Sequence, residues 1–169
     1  NIGRRQGVTE GTVAVIDGDR LVGRVAPDVA ALSSVLIPVG TMGDAYGRDL
    51  RARILPAGDE NAGADTGVSI RLEPIGGGDL AGLLERGSDI KVGDFVRLGA
   101  DPAWKPTAWG MLIGRVIGIE QVRQQPLRER IVVERAVDPA RLPSVTLKLE
   151  RSPAESGAAR ATAEEGGMR

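Results

Sequence analysis

The chain of 169 residues contains no cysteine and no histidine, and its only aromatic side chains are two tryptophans, one tyrosine and one phenylalanine. It therefore cannot form disulfides, thiolate zinc sites, imidazole metal ligands or a Ser-His-Asp triad. The scarcity of aromatics argues against a platform on which nucleic-acid bases stack. The formal net charge of −1 provides no cationic field to attract nucleic acid or anionic lipid. We therefore expect no catalytic residue, no cofactor, no metal and no nucleic-acid partner.

Long apolar runs are also missing from the sequence. No stretch approaches the roughly 20 residues needed to span a bilayer, and no signal peptide is present. The chain begins at Asn1 rather than at a methionine, so we expect a fragment of a longer protein. Any membrane anchor or targeting segment would then precede Asn1. A chain of this length can form one ordinary domain or two small ones.

Short β-strand patterns occupy most of the chain. Apolar and polar residues alternate between turn residues, which is typical of strands with one buried face. Asp17-Gly18-Asp19 predicts a tight hairpin turn, because a calcium loop would need further oxygen ligands and a distant bidentate glutamate. The predicted strands cover residues 7–16, 21–25, 34–39, 48–55, 68–75, 90–98, 111–119, 131–137 and 144–149.

The stretch from Asp89 to Glu120 contains the clearest pair of strands, joined by one exposed loop. Gly93 lies where a tight turn requires a positive φ. Asp94 is suited to closing this turn by accepting hydrogen bonds from backbone amides. We interpret Gly93 and Asp94 as structural turn residues.

The loop between these strands, Asp101 to Trp109, is too rich in proline to continue a strand and holds both tryptophans of the chain. Exposed tryptophan suggests a contact surface for a partner. Asp101, Trp104, Lys105 and Trp109 are therefore the candidate partner-contact residues. The alternative is a tryptophan lid folded over the open end of a barrel, because large aromatic side chains are usually mostly buried.

A pentapeptide at residues 21–25, Leu-Val-Gly-Arg-Val, is nearly repeated at 112–116 as Leu-Ile-Gly-Arg-Val. The separation exceeds any solenoid period, so the repeat indicates two similar halves rather than an array. A glycine inside a strand marks a bulge, a bend at a barrel corner or a close backbone approach. Gly23 and Gly114 are accordingly predicted to be barrel corners.

The expected fold is all-β, with two small β-barrels, a short bridging helix between them and a disordered C-terminal tail. Asp79 would cap the helix, Leu80 to Arg86, and Gly87 would stop it. Gly76-Gly77-Gly78 lacks the Gly-Lys-Ser/Thr that a phosphate loop requires. Residues 56–66 have little to bury and are expected to be mobile. The predicted boundaries are 7–78 for the first barrel half, 79–87 for the helix, 88–150 for the second barrel half and 151–169 for the tail.

Four segments, in order, resemble the periplasmic core of the MreC family of bacterial rod shape-determining proteins. They are Asp19 to Val25, the turn from Asp89 to Val96, the repeat at 112–116, and 132–145, where Arg135 replaces a proline of the family pattern. The resemblance extends from about Asp19 to Leu149. The chain departs from the glycine-rich loop of the family at 98–104 and matches it little over 41–67.

The resemblance implies two β-barrels in a trypsin-like arrangement, without a catalytic site, that self-associate into dimers or filaments. It also implies a non-enzymatic scaffold of cell-wall elongation at the bacterial cytoplasmic membrane, with its soluble part facing the periplasm or outer side. Such a scaffold maintains cell shape by linking cytoskeletal MreB, through MreD and RodZ, to the elongation-specific penicillin-binding transpeptidase that makes peptidoglycan. Its only attachment to the membrane would be an N-terminal anchor that this sequence does not include.

Two other functions stay open from the residues alone. Asp89 to Val96 also resembles turns in membrane-fusion or efflux adaptors, and the chain would then be the β-barrel portion of such an adaptor. The second open function is a serine protease with a lysine base. The only lysines that could act as this base are Lys91, Lys105 and Lys148. The sequence upstream of Asn1 would separate scaffold from adaptor, because a transmembrane helix and one uninterrupted coiled coil would support the scaffold.

Overall fold

The computed structural model describes residues 2–41, 50–58 and 67–149. The predicted tail at 151–169 lies outside the described residues, as does most of the predicted mobile loop at 56–66. Within the described ranges, short 3-10 turns occur at Arg4–Gln6, Pro106–Ala108 and Pro139–Arg141. The strands are β1 (Val13–Ile16), β2 (Arg20–Val25), β3 (Leu36–Pro38), β4 (Leu50–Leu55), β5 (Val68–Gly76), β6 (Asp79–Glu85), β7 (Phe95–Leu98), β8 (Leu112–Gln121), β9 (Arg128–Arg135) and β10 (Thr146–Lys148).

Six of these strands close into a barrel. The order is β8-β7-β4-β5-β6-β9 and back to β8, and every neighbouring pair is antiparallel. Side chains alternate between the two faces of a strand, so on β4 Ala52 and Ile54 are buried while Arg51 is exposed. Because the barrel is closed, each of the six strands is hydrogen-bonded to a neighbouring strand on both sides.

The other four strands form an antiparallel sheet beside the barrel, in the order β3-β2-β1-β10. β1 and β2 make the predicted hairpin, whose turn residues Asp17 and Gly18 have φ values of 52° and 88°. The sheet meets the barrel where β2 lies parallel to β8, with Arg20 opposite Leu112. There the Leu112 amide donates a hydrogen bond to the Asp19 carbonyl at 2.9 Å.

The sheet and the barrel share one hydrophobic core. The sheet contributes Val13, Val15 and Leu21, all fully buried. The opposite face of the sheet is also covered, by a smaller cluster in which Ala14 and Val22 belong with Val137. Burial of apolar surface is the dominant favourable term in folding, so this shared core joins the two parts. Its barrel residues include Ile54, Leu72, Leu80, Leu98, Ile113, Ile131 and Val133.

The bridging helix predicted at 79–87 is wrong, because Asp79–Glu85 is the strand β6. The three glycines at 76–78 all have positive φ, so the chain reverses there and β6 pairs antiparallel with β5. On its other side β6 pairs in register with β9 from Leu80 to Glu85. Tertiary pairing therefore overrides the helix propensity of the alanine, leucines and glutamate in this segment.

The all-β class is confirmed. In the described residues one barrel closes, and the remaining four strands form the sheet. The division into halves at 7–78 and 88–150 stays a prediction. The closed barrel takes strands from both ranges, because β4 from the first range pairs with β7 from the second.

The two copies of the repeated pentapeptide occupy equivalent places in β2 and β8. In each copy the residue before the glycine is skipped in the register with the preceding strand, which makes Val22 and Ile113 the extra residues of β-bulges. The carbonyls of these residues accept hydrogen bonds from the residues that directly follow β3 and β9. The donors are the amides of Val39, at 2.9 Å, and Ala136, at 2.8 Å.

The glycines of the repeat, Gly23 and Gly114, each face a main-chain carbonyl. A Cβ on Gly23 would overlap the carbonyl oxygen of Ile37, and a Cβ on Gly114 would overlap that of Glu134. Neither glycine has a positive φ. A close backbone approach beside a bulge is therefore what requires glycine at both positions.

Replacing Gly114 by alanine is expected to lower the free energy of unfolding by about 2–3 kcal/mol, because a main-chain carbonyl cannot move aside as a flexible side chain can. Gly118 on the same strand is the matched control, since a Cβ there would lie 3.6 Å from the Cβ of Val132, an ordinary contact. Urea unfolding followed by circular dichroism measures both variants. Equal losses for Gly114→Ala and Gly118→Ala would contradict the close-approach explanation.

Candidate functional site

The turn before β7 is held by one buried carboxylate. Gly93 has a φ of 100°, which L side chains rarely adopt. Asp94 is 5% exposed, and its Oδ2 accepts a hydrogen bond from the Lys91 amide at 2.8 Å. Its Oδ1 accepts another from the Ala57 amide at 3.0 Å. Asp94 thus fixes the turn to the chain that follows β4, which is a structural use of both carboxylate oxygens.

A second buried carboxylate, Asp101, holds the segment between β7 and β8. Asp101 is 4% exposed, and its two oxygens accept hydrogen bonds from the amides of Arg51, at 2.9 Å, and Ala103, at 2.8 Å. The indole Nε1 of Trp109 donates to the Asp101 carbonyl at 3.3 Å. Hydrogen bonds to both oxygens offset the free-energy cost of burying a carboxylate. Asp101 is therefore buried inside the loop, and the partner-contact role predicted for it stays a prediction.

Trp104 is buried as well, at 7% exposure, within the main hydrophobic core. The Arg24 guanidinium of β2 lies 5.1 Å from the centre of its ring and donates a hydrogen bond to the Ala103 carbonyl. The partner-contact role of Trp104 stays a prediction, although little of this side chain reaches the surface. Its burial favours the lid alternative, because the ring fills space between the loop, the barrel and the sheet. Trp109 is 39% exposed and can still be reached by a partner.

Residues 99–111, which we call the junction loop, connect the barrel to the sheet. Asp101 binds the main chain of β4, and Trp104 packs beneath Arg24 of β2. Lys105 reaches the segment before β1, where its Nζ donates to Thr9 Oγ1 at 3.1 Å. Of the four predicted contact residues, the structure therefore assigns three to this connection.

A groove on the outer face of the barrel was not predicted from the sequence. It has a volume of about 890 Å³ and lies between β4 and β5 on one side and β6 and β9 on the other. Its sequence signal is the Arg-x-Arg spacing at 51–53 and 128–130, which puts two arginines on one face of a strand. We call it the arginine groove, and the charged residues that line it are Arg51, Arg53, Arg71, Arg128, Arg130 and Glu73.

The acidic residues at the β1–β2 turn form ion pairs. Asp17 pairs with Arg20 and Asp19 pairs with Arg97, both at 3.4 Å. Among the described residues, no group of three or more acidic side chains is arranged to hold a metal ion. Over the same ranges, no helix combines the length and apolar character needed to cross a membrane.

Replacing Asp94 by alanine is expected to lower the free energy of unfolding by about 2–3 kcal/mol, because two main-chain amides lose their acceptor. Asp89 is the matched control in the same turn. Its side chain is 91% exposed and its ion pair with Lys91 spans 3.4 Å, so Asp89→Ala should leave the unfolding midpoint unchanged. Thermal unfolding compares the two variants. Identical midpoints would show that the Asp94 carboxylate does not hold the turn.

No protein-family model matches the chain, and no curated protein matches it significantly. Solved structures of MreC do match it. MreC from Pseudomonas aeruginosa superposes with a TM-score of 0.67 and 17% identity, over 88% of this chain and 85% of that one. MreC from Listeria monocytogenes gives a TM-score of 0.64 and 16% identity, over 90% of this chain and 69% of that one. The major periplasmic domain from the cell shape-determining filament MreC gives 0.52 and 19%, over 81% of this chain and 75% of that one.

At this level of identity the similarity concerns the arrangement of the strands. The resemblance drawn from the motifs at 19–25, 89–96 and 112–116 is confirmed at the level of the fold. The described chain has the fold of the MreC periplasmic domain.

Proposed function

We propose that this chain is a non-enzymatic scaffold of bacterial cell-wall elongation that maintains cell shape. The observation that carries the proposal is the MreC fold, which covers 88% of this chain and 85% of the Pseudomonas aeruginosa structure. One of the similar structures comes from a filament that determines cell shape. The ordered motifs in the sequence support the same assignment.

The hydrogen bonds made by the buried carboxylates support a non-enzymatic role. Both oxygens of Asp94 and both oxygens of Asp101 accept hydrogen bonds from main-chain amides. Lys91 pairs with Asp89, and Lys105 donates to Thr9. A general acid or an activated nucleophile must reach a substrate. Asp94, Asp101 and Lys105 instead hold a turn and the junction loop in place.

Self-association is part of the proposal, and the sheet offers an edge for it. Among the described residues, β10 pairs with β1 alone and β3 pairs with β2 alone. Pro38 in β3 has no N–H, which makes that edge a poor template for another strand. We assign the contact to β10, which lies between the exposed residues Val145 and Leu149. A second copy would add a strand there, and repetition would give dimers or filaments.

The proposed scaffold lies at the bacterial cytoplasmic membrane, with this part facing the periplasm or outer side. Its proposed partners are MreD, MreB with RodZ, and the elongation-specific penicillin-binding transpeptidase. Two surfaces are suited to such contacts. One is Trp109 on the junction loop, and the other is the arginine groove.

Deleting the gene from its bacterial host is expected to give rounded or misshapen cells, because the scaffold that positions peptidoglycan synthesis is lost. A plasmid copy carrying Gly118→Ala should restore the shape, whereas one carrying the destabilising Gly114→Ala should restore it poorly. Phase-contrast microscopy measures the ratio of cell length to width. Normal shape after deletion would contradict the proposal, and normal shape with drug hypersensitivity would favour the efflux adaptor.

A further inference from the structure

The arginine groove lies where the ladder between β5 and β6 ends. β5 and β6 pair only from Glu73 and Ala81 to the glycine turn that joins them, and the register shifts between Pro74 and Gly76. Just beyond this point, at Gly82, β6 passes so close to β5 that a Cβ would overlap the carbonyl oxygen of Arg71. From there β6 follows β9 to its end at Glu85. The groove lies beyond the end of the β5–β6 pairing, between the β4–β5 pair and the β6–β9 pair.

The charge of the groove contrasts with that of the whole chain. Five arginines and one glutamate line it, and none of its lining residues is a lysine, whereas the chain carries a formal net charge of −1. Arg51 and Arg71 lie directly opposite each other on β4 and β5. Five arginines against one glutamate give this face a positive charge, which an anionic ligand would complement. The planar guanidinium binds carboxylates through two parallel hydrogen bonds, which a lysine cannot do.

Apolar side chains lie among these arginines. Ile75 and Leu83 line the groove beside Ala81, and they are 43% and 42% exposed. An exposed apolar strip rimmed by charged residues is typical of a protein interaction surface. A small inorganic anion would contact the arginines and leave this strip uncovered. An extended peptide presents alternate side chains to opposite faces and has enough length to meet both kinds of residue.

We propose that the arginine groove binds an acidic segment of a partner protein, with carboxylates on the arginines and apolar side chains against Ile75 and Leu83. The inference rests on the proposed scaffold function and deepens it by giving the chemistry of one partner. Peptide binding and cell shape are separate measurements, so each of the two proposals can fail without the other.

The test uses the whole chain and a fluorescein-labelled peptide, acetyl-Glu-Val-Glu-Leu-Glu-Val-amide, followed by fluorescence anisotropy at low salt. The groove variant combines Arg51→Gln with Arg128→Gln. The matched control combines Arg5→Gln with Arg123→Gln, which removes the same charge from exposed positions outside the groove. We expect the groove variant to raise the Kd about tenfold and the control to raise it less than about twofold. A peptide with glutamine in place of every glutamate should bind at least about tenfold more weakly than the acidic one.

Equal loss of binding in the two variants would overturn the proposal, because it would indicate a diffuse charge effect. Equal binding of the glutamine peptide would overturn it as well. Retention by phosphatidylglycerol vesicles through the same arginines, without binding of the acidic peptide, would identify an anionic lipid surface instead. Thermal unfolding checks that the variants fold, and Arg128→Gln alone replaces the double variant if the latter is unstable. Cells that lose their shape only when peptide binding is lost would support both proposals.

Discussion

One hydrophobic core shared by the barrel and the sheet holds this molecule together. Val13, Val15 and Leu21 of the sheet lie in the same buried cluster as Trp104 and the inward residues of the barrel. Burial of one such aliphatic side chain contributes about 1.5–3 kcal/mol relative to exposure. The junction loop covers the boundary between sheet and barrel. It buries Trp104 in the shared core and binds the main chain of β4 through Asp101.

The repeated pentapeptide shows how one local arrangement bends both parts of the fold. In β2 and in β8 a bulged residue precedes a glycine, and the glycine admits the carbonyl of the following strand. The units β1-β2-β3 and β7-β8-β9 are therefore two copies of one three-stranded arrangement. The first residues of β2 and β8 also form a parallel pair, with Arg20 opposite Leu112. The sheet and the barrel thus meet at the two bent strands, beside the core that they share.

Features determined by neighbouring residues could be predicted from the sequence. The alternating strands, the Asp17-Gly18 hairpin and the positive φ at Gly93 all depend on short-range patterns. Features determined by distant residues could not. Residues 79–85 have the composition of a helix, and pairing with β5 and β9 makes them a strand. The arginine groove likewise depends on bringing residues 51–53 near 128–130, which no local pattern specifies.

The proposed contact surfaces lie on both the sheet and the barrel, and they keep their relative positions only if sheet and barrel behave as one unit. Native-state hydrogen exchange tests this most directly. The amide of Val25 in β2 donates a hydrogen bond to the Thr12 carbonyl at 2.9 Å, and the amide of Leu98 in β7 donates one to the Met111 carbonyl at 2.8 Å. If the shared core makes one cooperative unit, their free energies of opening should agree within about 1 kcal/mol. A Val25 amide that opens at roughly 3 kcal/mol less than Leu98 would show that the sheet unfolds separately, and would contradict the account.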